Sequence, residues 1–129
     1  MPTKEQHTVQ AQRNRDFASS LDRHRYPEWV VVGWFYCALH LADALLAETL
    51  PGKMGHPRNH EARWTAMSVS EAWKRHPALR KHYRALESLS RQARYDFRPG
   101  ALEFTSRNLE RVYRDHFLPL VETLGGILS

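Results

Sequence analysis

The sequence predicts an all-α protein, an up-and-down bundle of four main helices with one short extra helix. Three observations carry that prediction. Apolar residues recur at spacings of three and four, Pro and Gly clusters punctuate the chain at helix-length intervals, and no segment shows strand alternation. At 129 residues the chain reads as one domain spanning 1–129, large enough to bury a core without disulfides or metals, with residues 1–7 as a flexible lead.

The first helix is expected from about Thr8 to His24, mostly polar, with Val9, Phe17, Ala18 and Leu21 as a thin apolar edge. Tyr26-Pro27-Glu28 then restarts the chain, because proline suits a first helical turn and an early glutamate complements the macrodipole. The second helix contains the run Trp29 to Leu46 and ends near Pro51-Gly52. It is apolar almost all round, yet Tyr36, His40 and Asp43 fall on one stripe at about 100° per residue. Polar groups on a buried helix are costly unless they hydrogen-bond or face a wet cleft, so the stripe is either a satisfied seam or a site. Its spacing would allow a Tyr36–His40–Asp43 relay suited to acid–base work.

The same run is barely long enough to span a bilayer and carries Gly33, His40 and Asp43, so we expect a core helix and no membrane partner. The polar N-terminus lacks the apolar run of a signal peptide, and Cys37 has no partner for an intrachain disulfide. A reducing, cytoplasmic location is the expectation.

Residues 51–60, PGKMGHPRNH, read as a loop, followed by a helical segment from about Asn59 through Met67. Ser68-Val69-Ser70-Glu71 has capping-box spacing and starts the short extra helix, which His76-Pro77 kinks or ends. From Pro77 to about Tyr95, Leu79, Tyr83, Leu86, Ser90 and Ala93 make one face of an amphipathic helix, stopped by Arg98-Pro99-Gly100. Beside that face Arg80, Arg84, Arg91 and Arg94 lie within roughly an 80° arc, with Glu87 among them. Either Glu87 and neighbouring acids neutralise them, or they form an anion-binding surface. In the last helix Leu109, Val112, Tyr113, Phe117, Leu120, Val121 and Leu124 trace one face. Thr105 is its expected cap, Phe104 a staple against Leu109, Pro119 a bend and Gly125-Gly126 the end.

The formal charge is +5, from 19 Lys and Arg against 14 Asp and Glu, and 15 of the 19 are Arg. Arg suits bidentate phosphate contacts and stacking, which leans toward nucleic acid, although a basic solvated surface gives the same composition. Metal chemistry is not expected. His56 and His60 are four apart, but Pro57 puts His56 ahead of the helix. His60-Glu61-Ala62-Arg63 begins like a zinc-protease motif with Arg63 where the second ligand belongs. There is no glycine-rich phosphate loop, no sequence pattern marks Cys37 as a nucleophile, and no cofactor is expected.

Three segments taken in order resemble small bacterial HEPN-like proteins. Phe35-Tyr36-Cys37-Ala38-Leu39-His40 resembles their FYAALH helix. His56-Pro57-Arg58-Asn59-His60-Glu61-Ala62-Arg63 resembles their HPRxHxxR turn, and Ser90-Arg91-Gln92-Ala93-Arg94-Tyr95-Asp96 the SxxARYD end of a later helix. The resemblance covers about residues 17 to 97, with a compatible final helix. It implies a helical bundle, commonly dimeric, that binds or cleaves RNA, in several cases as a ribonuclease toxin or defence effector, sometimes paired with a nucleotidyltransferase antitoxin. The family's catalytic signature is an Arg followed after four to six residues by His. Here the corresponding positions after Arg91 hold Asp96, Phe97 and Arg98. Arg75 with His82 and Arg111 with His116 satisfy the spacing, but chance alone yields about three such pairs in this composition.

The expectation is therefore a HEPN-like module without the usual nuclease centre. It would bind RNA or a nucleotide-bearing partner through Arg80, Arg84, Arg91 and Arg94, supported by Tyr36, Asp43 and Tyr95. The alternative is a metal-independent ribonuclease with a rearranged centre drawn from His40, His60, Arg63, Arg91 and Asp96. A second alternative is a dimeric protein-interaction scaffold. The partners these readings imply are RNA, a nucleotidyltransferase or other protein, and a second copy of the chain.

Overall fold

Thr3 starts the first helix four residues earlier than the periodicity indicates. Its side-chain oxygen accepts from the Gln6 amide at 3.2 Å while the Gln6 side chain accepts from the Thr3 amide at 2.8 Å, a reciprocal capping box. Helix α1 is Lys4–Ser20, and His7 within it is buried. Residues 4–7 are thus its first turn rather than a flexible lead, and it ends at Ser20 rather than near His24. The computed structural model describes residues 1–96 and 105–129, and every regular element among them is helical.

Pro27 opens α2, Pro27–Thr49, which is followed by a 3₁₀ turn at Gly52–Gly55. Asn59 caps α3, His60–Val69, by accepting from the Ala62 amide at 2.7 Å. The one-turn helix α4, Glu71–Lys74, is capped by Ser70, two residues beyond the Ser68 that the capping-box spacing singles out. Pro77 begins α5, Pro77–Tyr95, so the His76-Pro77 step separates two helices. Thr105 caps α6, Ser106–Val112, accepting from the Asn108 amide at 3.2 Å. The expected stop at residues 98–100 and the Phe104 staple lie outside the described residues.

The last helix does not simply bend at Pro119. A π turn, Tyr113–Phe117, joins α6 to α7, Leu118–Leu128, and Pro119 sits in the first turn of α7. The wider turn loosens the helical ladder where the proline ring would otherwise meet the preceding carbonyls. Nor do Gly125-Gly126 end the helix, which continues to Leu128. Burial of Leu124 and Leu128 outweighs the intrinsic helical cost of two glycines.

The elements form a bundle-like arrangement around α2, which packs against α1, α5 and α7. Trp34 stacks on Phe117 at 5.3 Å and Phe35 meets Tyr83 at 5.8 Å, tying α2 to the π turn and to α5. Helix α2 is long and apolar enough to cross a membrane, but 78% of its most apolar stretch is buried inside this chain. Helices α1 and α2 approach closely at Gly33, where an added Cβ would stand 2.9 Å from the Cβ of Ala18. Gly33→Val is therefore expected to destabilise the fold by about 1–3 kcal/mol, measured by chemical denaturation, with Ala18→Gly recovering part of the loss.

Candidate nucleic-acid interface

The polar stripe on α2 is not a relay. Each of its three side chains pairs with a different helix, and none of the hydrogen bonds among the described residues joins them to one another. Asp43 accepts from Arg63 through both oxygens, at 2.6 Å from Nε and 3.0 Å from an Nη, with both side chains under a tenth exposed. Burial works against the Arg63 charge, but the hydrogen bonds and charge of Asp43 outweigh it and hold the guanidinium above its ordinary value. His40 Nδ1 lies 3.1 Å from His7 Nδ1, so one ring donates and the other accepts. Tyr36 Oη accepts from Arg94 at 2.8 Å. The stripe thus stitches α2 to α1, α3 and α5, and at the His pair it borders an open cleft, lined also by Gln6 and Gln10.

A second imidazole pair, His82 with His116 at 3.3 Å, links α5 to the π turn. Burial lowers the pKa of His7, His40, His60 and His82 below the ordinary 6.5. Each of these imidazoles binds a proton more readily unfolded than folded. Their contribution to stability is complete above about pH 6.5 and is lost as the pH falls through the lowered folded values. The melting temperature is expected to fall steadily from pH 7 to pH 5, and a His7→Gln/His40→Gln double variant should flatten that fall. Buried Cys37 has its thiol pKa pushed up to about 12 by desolvation, which keeps it protonated and a poor nucleophile.

The outer edge of α5 is built around one carboxylate. Glu87 is 6% exposed, and an imidazole and two guanidiniums converge on it: His60 at 3.4 Å, Arg91 at 3.7 Å and Arg84 at 3.8 Å. Burial, opposed by Glu87, holds His60 below its ordinary pKa, so near neutral pH the two arginines outnumber the one acid between them. Their side chains remain 59% and 62% exposed, held two turns apart, about 10 Å along the helix. Arg94 extends the edge, fixed by Tyr36 and lying 5.1 Å from the ring of exposed Tyr95.

Toward the other end of α5, Arg80 and Arg84 lie over the ring of Trp64, at 4.0 and 4.6 Å from its centroid. They border a groove of about 660 Å³ between α3, α4 and the N-terminal half of α5.

The structure therefore gathers His60, Arg84, Arg91 and Glu87 into one cluster and leaves His40 in the seam. Arg63 is neutralised by Asp43, and Asp96 stands at the C-cap of α5. Glu87 was legible only as an acid among arginines. His7 and Trp64 carried no sequence signal, since their partners lie on other helices. Among the described residues no three His, Cys, Asp or Glu side chains are grouped to hold a metal. Comparison with known proteins finds no matching family model, curated protein or solved structure.

Proposed function

We propose that this protein binds RNA through the α5 edge, contacting phosphates with Arg84, Arg91 and Arg94. The observation that carries this is the placement of Arg84 and Arg91 on either side of the buried Glu87 carboxylate. Each stands within 3.8 Å of that carboxylate yet is more than half exposed. Two guanidiniums gathered around one acid retain excess positive charge at an exposed edge, which suits contact with a phosphate. The three-segment resemblance to HEPN-like proteins supplies the choice of RNA, and a HEPN-like bundle is part of the same proposal.

The test is fluorescence anisotropy with labelled RNA in EDTA at two salt concentrations. Arg91→Ala is expected to weaken binding several-fold and to reduce the salt slope by about one. Binding that ignores both salt and Arg91 rejects the proposal.

A second reading rests on the His60–Glu87 contact beside two arginines, which places an acid–base pair next to groups able to stabilise a phosphorane. It predicts metal-independent ribonuclease activity, with cleavage in EDTA that a folded His60→Ala variant loses. Retention of intact RNA by the wild-type protein decides for binding alone.

A further inference from the structure

The groove between α3, α4 and the N-terminal half of α5 has a different chemistry from the Arg84–Arg91 edge. Pro77 and Ala85 give it accessible apolar walls over the fully buried Met67 and Trp73, and its volume of about 660 Å³ suits a few large apolar side chains. Every charged residue lining it is a cation: Lys74, Arg80, Lys81 and Arg84. Glu71 engages Lys74 at 3.3 Å and Glu87 stands 3.8 Å from Arg84, while Arg80 and Lys81 have no carboxylate partner among the described residues.

Two polar atoms lie buried behind its walls. The Trp73 indole N–H and the Arg80 Nε–H are buried with no acceptor within hydrogen-bonding distance, and Arg80's described hydrogen bond is a long one, 3.4 Å to the Trp64 carbonyl.

We infer that this groove receives an acidic amphipathic helix of a partner protein, its apolar face against Pro77 and Ala85 and its Asp or Glu side chains on Arg80 and Lys81. Charge complementarity selects the sign of the partner, and the apolar walls select a helix with anchors at spacings of three and four. A nucleic-acid strand fits less well. Trp64, the aromatic face a base would stack on, already carries two guanidiniums, and Trp73 is fully buried. The inference stands independently of RNA binding at the α5 edge, although Arg84 borders both surfaces.

The test uses a fluorescein-labelled synthetic helix of about 16 residues with Leu at i, i+4 and i+7 and Glu on its flanks, beside the same peptide with Lys for Glu. The acidic peptide is expected to bind saturably, at least about tenfold tighter than the basic one, and to shift the Trp73 indole resonance. Ala85→Trp, which fills the groove, should cut peptide binding by a similar factor while RNA retention at Arg91 persists. If that variant does not fold, Lys81→Glu at an exposed position should weaken the acidic peptide instead. Equal binding of the two peptides overturns the inference, as does binding unchanged in the folded Ala85→Trp variant. So does an RNA oligonucleotide, rather than the peptide, shifting the Trp73 resonance.

Discussion

Asp43→Ala is expected to lower the unfolding free energy by about 3–5 kcal/mol, because it leaves the Arg63 guanidinium buried without its bidentate partner. For a chain of this length that corresponds to a fall in melting temperature of about 10 °C or more. The loss is chiefly the penalty of an unpaired buried charge. Removing both charges should therefore cost much less, and an Asp43→Leu/Arg63→Met double variant is expected to recover most of the stability. Denaturation of the three variants by urea, read by circular dichroism, measures the effect. A single-variant cost below about 1 kcal/mol would mean that water reaches the pair and that the seam is open.

Arg84→Glu/Arg91→Glu is expected to reduce RNA affinity by about 100-fold or more at low salt. The double change replaces two phosphate-binding groups with two acids beside Glu87, so repulsion adds to the lost contacts. Reversal of Arg13, exposed on α1, should change affinity less than about twofold. Circular dichroism on the double variant separates lost binding from lost fold. The two effects have different physical origins: the Asp43 loss comes from desolvation and the arginine loss from the field at an exposed edge.

The arginine edge of α5 was legible in the sequence because spacings of three and four fix which residues share a helix face. The same rule placed Tyr36, His40 and Asp43 on one line but could not name His7, Arg94 and Arg63 as their partners. Periodicity orients a face without saying which helix covers it. The start of α1 was missed because Thr3 and Gln6 form a capping box in a polar stretch where apolar periodicity has no signal. The π turn was equally hidden, since it arises where Pro119 and the packing of Phe117 on Trp34 must be reconciled. The groove at Trp64 depends on side chains of α3 and α5 meeting across it, a long-range consequence of both helices packing on α2.

The salt dependence of RNA binding tests the role of the α5 edge most directly. With Arg84, Arg91 and Arg94 each meeting a phosphate of a single strand, log affinity should fall against log salt with a slope near −2, and the Arg84→Glu/Arg91→Glu variant should retain little affinity and little slope. A wild-type protein that fails to retain RNA at low salt, or a folded double variant with unchanged affinity and slope, would contradict it.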